Sequence, residues 1–76
     1  MSNLPAVTGA DLVSTLRKIG FTIERQRGSH VFMKHPDGRA TVVPVHAKET
    51  VGPGLFSKIM RDIDLSKDEF HDLIEK

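Results

Sequence analysis

The sequence predicts an α+β domain of order αβββαα, a three-stranded antiparallel sheet with helices on one face. Three observations carry that expectation. A capping signal precedes apolar residues at helical spacing, the period then drops to two across a pair of turn signals, and helical spacing returns after Gly52-Pro53. In Thr8-Gly9-Ala10-Asp11 the hydroxyl and the acid three residues later can satisfy free amides at a helix start. Leu12, Leu16 and Ile19 follow at helical spacing, Arg17 and Lys18 suit the negative end of the dipole, and Gly20 is a natural stop. The first helix is expected over Gly9 to Ile19.

From Phe21 the chain alternates, with Phe21, Ile23 and Arg25 on one face and Thr22, Glu24 and Gln26 on the other, until Gly28-Ser29 makes a turn. His30 to His35 reads as a second strand. Pro36-Asp37-Gly38-Arg39 is a turn, and Ala40 to Val45 a third strand, with Pro44 near its end arguing against a fully paired central position. Pairing across that turn puts residues 30 and 45 roughly opposite one another. After a loop, Gly52-Pro53 starts a helix with an apolar face of Leu55, Phe56, Ile59, Met60 and Ile63, and Ser66 with Glu69 caps a last helix carrying Phe70, Leu73 and Ile74.

Size and composition narrow the function. Seventy-six residues make a single domain over 1–76, with a 38% hydrophobic content that can pack a small core and no room for a large cofactor pocket. The absence of cysteine removes disulfides, thiolate metal sites and cysteine nucleophiles. No apolar run has membrane-spanning length, and the start at Met1-Ser2-Asn3 lacks a charged segment followed by an apolar one, so the expectation is a cytoplasmic protein with no membrane partner. The net charge of +1 is unevenly distributed: residues 17–61 hold nine Lys/Arg against three Asp/Glu, a net of +6, and residues 62–76 hold two against six, a net of −4. A concentrated positive segment is the footprint of a polyanion site.

Within that segment, Gly28-Ser29-His30 holds a histidine at a strand entry, where its ring can stand clear of the sheet. Histidine is the residue type whose unperturbed pKa, about 6.5, lets a side chain move a proton near neutral pH. Around it in sequence lie Arg25, Arg27, Lys34, Arg39, Lys48 and Lys58. Neighbours on a strand point to opposite faces, so Ser29 is read as a turn or phosphate-contact residue rather than a nucleophile served by His30. His46 ends the third strand, either near His30 or as a loop residue at the far end of the sheet, and is the candidate auxiliary group. His30, His35 and His46 have little carboxylate support, because Asp37 is needed in its turn, so neither metal nor cofactor is expected. His35 and His71 read as surface residues. Gly52, Gly54 and Lys58 stand at a helix start, where free amides can hold a phosphate.

Taken in order, these stretches resemble the HicA family of mRNA interferase toxins over nearly the whole chain. The likeness rests on Ile19-Gly20-Phe21, Arg25-Gln26-Arg27-Gly28-Ser29-His30, His35-Pro36-Asp37-Gly38-Arg39, Val43-Pro44-Val45-His46, and the helix from Gly52 through Ile59. The resemblance implies a fold like the double-stranded-RNA-binding domain and metal-independent cleavage of mRNA. It also implies a catalytic histidine at His30 and a HicB-type antitoxin that occludes the site. Family members often carry threonine after the second helix glycine, where this chain has Leu55. The reading is an endoribonuclease with His30 as general base, His46, Lys48 or water as acid, and Arg25, Arg27, Ser29, Lys34, Lys48 and Lys58 on the RNA. The alternative is a non-catalytic RNA-binding module of the same fold.

Overall fold

A computed structural model describes residues 6–74; the start at Met1-Ser2-Asn3 and Lys76 of the acidic tail lie outside them. The elements are α1 (Gly9–Lys18), β1 (Thr22–Arg27), β2 (His30–Lys34), β3 (Ala40–Pro44), α2 (Pro53–Asp62) and α3 (Lys67–Ile74). The strands form one antiparallel sheet in the order β1-β2-β3. This is the expected αβββαα order.

Local chemistry starts and stops the elements as the sequence indicates. Thr8 and Asp11 form a reciprocal capping box at α1, with bonds of 3.1 and 3.2 Å, and Ser66 and Glu69 form another before α3, at 3.0 and 2.9 Å. Gly52 is the N-cap of α2 with Pro53 following it. That helix ends in a left-handed residue, Asp64 at φ 56°, while the Leu65 amide bonds back to the Met60 carbonyl at 3.0 Å. Gly28, at φ 57°, and Ser29 are the two residues between paired Arg27 and His30, a hairpin turn with its left-handed residue in first place.

All three helices contribute to one core, in which Leu12 and Leu16 of α1, Val31 and Met33 of β2, Val43 of β3, Phe56, Ile59 and Met60 of α2, and Phe70 of α3 are buried. Phe56 and Phe70 meet edge to face at 5.3 Å. Leu55, expected on that apolar face, is instead 36% exposed: it lies one residue before Phe56, and the roughly 100° turn per helical residue carries it off the buried stripe. Contact at Gly9 is close. A Cβ there would collide with the Pro44 carbonyl oxygen, so only glycine lets the start of α1 rest on the end of β3.

Burial in β2 and β3 alternates, with Val31, Met33, Thr41 and Val43 toward the helices and His30, Phe32, Lys34, Ala40, Val42 and Pro44 on the open face. β1 departs from the expected alternation. Thr22 pairs with Lys34 and Ile23 with Met33, but Arg25 pairs with Phe32 and Arg27 with His30, because Glu24 is an extra residue in a bulge. The bulge reverses the phase of the strand. Ile23 stays with the inward residues while Arg25 and Arg27 turn to the open face, so Ile23 and Arg25 do not share a side.

A polar knot ties the β2–β3 turn to two helix ends. The His35 ring Nε2 lies 2.9 Å from the Ile19 carbonyl and Nδ1 takes the Asp37 amide at 3.1 Å, with the ring edge on Phe21 at 5.0 Å. His35 is therefore a fold residue, not the ordinary surface histidine expected; its partners lie distant in sequence. Arg39 is also occupied. It donates to Asp37 at 2.9 Å and to the Ile63 carbonyl beyond α2, and its guanidinium sits 5.2 Å over Phe21.

Two stability predictions follow from these contacts. His35→Ala should cost about 2 kcal/mol, a fall in Tm of roughly 8–16 °C, whereas His30→Ala on the open face should stay within about 0.5 kcal/mol of wild type. Thermal melts of both variants measure the contrast. The second prediction concerns acid. The Arg39 amide and guanidinium hold Asp37 below its ordinary 3.8, Lys58 and Thr41 do the same for Asp62, and the Ser66 amide and hydroxyl hold Glu69 below 4.5. Groups with depressed folded pKa values contribute stability that is complete above their unfolded values and is lost as pH falls through the folded ones. Tm should thus hold above about pH 5 and drop below about pH 4, and Asp37→Asn should lose stability at neutral pH while flattening part of the acid slope.

Candidate functional site on the open face of the sheet

Helices cover one face of the sheet, so the side chains of the other face meet solvent. His30 stands there at the first position of β2, exposed, between Arg27 on β1 and Pro44 on β3. The β3 register differs by one from the expected partner, residue 45. The turn accounts for it: the His35 amide bonds the Arg39 carbonyl at 2.8 Å, closing the hairpin one step tighter. The Val45 amide instead reaches the Ser29 carbonyl at 2.6 Å, holding the β1–β2 turn against the end of β3.

Directly opposed residues on neighbouring strands share a face. Arg27 thus stands beside His30, Arg25 beside Phe32, and Lys34 farther along the same row. Arg25 places its guanidinium 4.5 Å over the Phe32 ring. Among the described residues, no ion pair engages Arg27 or Lys34. Four of the residues singled out by sequence, Arg25, Arg27, His30 and Lys34, therefore come together on one face.

Others are positioned differently. Ser29 is half-buried in the turn, and its backbone carbonyl does structural work. His46 and Lys48 lie in the exposed loop after β3, at the end of the sheet that carries His30, and Lys48 takes a left-handed φ of 60°. That loop is anchored by the Val51 amide on the Val7 carbonyl at 2.7 Å. Lys58 is ion-paired with Asp62 at 2.9 Å on α2, and Asp62 also accepts from Thr41 of β3 at 3.0 Å. Its charge is partly spent within the fold. Arg39, in the knot, leaves the basic field altogether.

Phe32 is the open-face residue that sequence reasoning missed. Its alternation with buried Val31 and Met33 was visible, but nothing in the sequence distinguishes an aromatic on the open side from one in the core. Among the described residues no three His, Asp or Glu side chains gather in a metal-holding group, and no helix is long and apolar enough to cross a membrane.

Chemically, the face offers an exposed imidazole with a guanidinium directly across the strand, and two further cations in line with them. No curated protein matches the chain in a sequence search. The family model described as HicA toxin of bacterial toxin-antitoxin matches residues 9–65, which spans α1 through the segment after α2 and includes every residue of the open face. With three quarters of its length covered by that match, the chain belongs to the HicA family, and its role is that of the toxin in a toxin–antitoxin pair with an antitoxin partner.

Proposed function

We propose that this chain is a metal-independent endoribonuclease that cleaves mRNA on the open face of its sheet, with His30 as general base. One observation carries the reading: the cross-strand pair of His30 and Arg27, exposed and flanked by Arg25 and Lys34, in a HicA-family chain. Cleavage from within the strand requires a base to take the 2′-hydroxyl proton, so that the 2′-oxygen attacks phosphorus and the 5′-oxygen leaves. His30 takes the proton. Arg27 is suited to the nonbridging oxygens, since a guanidinium donates two parallel hydrogen bonds to a phosphate and stabilises the charge that grows in the transition state. Lys34 and Arg25 extend the cationic row along the backbone, while Lys48 and Lys58 border the site with a smaller share. His46, Lys48 or water supplies the proton to the leaving oxygen.

The antitoxin in this reading is of the HicB type and covers the same face, so it competes with RNA. Acidic groups on its contacting surface complement the net +6 segment, and both complexes weaken as salt rises.

Purified chain should cleave RNA in EDTA, leaving 2′,3′-cyclic phosphate or 3′-phosphate ends and 5′-hydroxyls. His30→Ala should lower the rate at least 100-fold, with RNA affinity and Tm near wild type. Fresh 5′-phosphate ends would exclude internal attack. Full activity in His30→Ala would exclude His30 as the base, and His46→Ala reads the acid in the same assay.

A further inference from the structure

Beside Phe32 lies a shallow hollow of about 220 Å3 that runs from Phe32, Ala40 and Val42 on the open face to Thr41, Lys58 and Asp62 on the helix side. We infer that this hollow is a nucleobase subsite, in which an unpaired base of the RNA flanking the cleaved bond stacks against the Phe32 ring. The inference rests on the RNA-cleaving reading above and adds where one base of the substrate goes.

Position argues for it. Phe32 is two residues from His30 on the same face of β2, about 6.6 Å along the strand, so a base seated there belongs to a nucleotide close to the one whose 2′-hydroxyl meets His30. Chemistry argues for a base rather than a phosphate. Ala40 and Val42 are small and apolar, the aromatic ring lines the hollow with them, and the Glu24 carboxylate in the same lining disfavours a phosphate. The Lys58 ammonium is held by Asp62 at 2.9 Å. The cations that can take the backbone, Arg25, Arg27 and Lys34, lie around Phe32 and His30 in the row of cross-strand pairs. An exposed aromatic ring beside a cationic track is how single strands are held without sequence reading, the backbone by charge and the bases by stacking. Arg25 already sits 4.5 Å over the ring, so a base added there extends an existing π–cation stack.

Binding is measured with a 2′-O-methyl RNA strand, which lacks the attacking hydroxyl and so separates binding from cleavage, and with an abasic sugar-phosphate strand of equal length. Phe32→Leu should weaken binding of the intact strand about tenfold and leave the abasic strand unchanged, as loss of one stacked base requires. The chain contains no tryptophan, so Phe32→Trp installs a sole indole in the site. Its fluorescence should be quenched by the intact strand and not by the abasic one. Equal losses for both strands in Phe32→Leu, no loss for either, or an unquenched indole in a chain that binds the strand would each overturn the subsite while leaving cleavage by His30 standing. Should Phe32→Leu fail to fold, the indole measurement decides alone. Wild-type chain that binds neither strand would overturn the RNA reading and the subsite together, and quenching by an antitoxin alone would assign the hollow to that partner.

Discussion

One unpaired residue in the edge strand determines which side chains share a face with His30. β2 and β3 alternate regularly, with their inward residues committed to the core, so the phase of β1 is the variable. Strict alternation from Ile23 would put Arg25 and Arg27 on the helix side of the sheet. The bulge at Glu24 reverses the phase and puts both guanidiniums on the open face, Arg27 directly across from His30. A sheet covered on one side already separates packing from chemistry. The bulge sorts the charges to match.

The separation extends to the histidines and the cations. His35 closes β2 at one end and is taken up by the Ile19 carbonyl, the Asp37 amide and the Phe21 edge, whereas His30 opens the strand at the other end in solvent. Arg39 and Lys58 similarly serve the fold, one joining the β2–β3 turn to the end of α2, the other pairing within α2. What remains on the open face is a short row of cations around an imidazole and an aromatic ring. Rigid strands carry that row, and the close approach of α1 at Gly9 to the Pro44 carbonyl fixes the strand next to His30. A site built on strands holds its spacing better than one carried by loops.

Much of this was legible in the sequence, and the exceptions have a common cause. Capping boxes at Thr8 and Ser66, the Gly28-Ser29 and Pro36-Gly38 turns, and the Gly52-Pro53 helix start depend on residues within four positions of one another, so their chemistry shows directly. The bulge left no compositional mark, because an extra residue in a strand is defined only by its partner strand. His35 read as a surface histidine because its carbonyl partner, Ile19, lies sixteen residues earlier. In sequence Arg39 and Lys58 are equivalent to Arg27, and only their tertiary partners separate them. Phe32 carries no mark of its place for the same reason: whether an aromatic in a strand faces the core or the solvent depends on which side the helices choose.

The central claim is that the open face of the sheet, with Arg27 and His30 opposed across two strands, is the surface that meets RNA. Backbone amide chemical shifts in a titration with a 2′-O-methyl RNA strand test it most directly. The account predicts that the largest changes map to residues 25, 27, 30, 32, 34 and 42, with α1 and α3 little affected. Changes concentrated on the exposed side of α1 and the start of α2, with the open face silent, would contradict it.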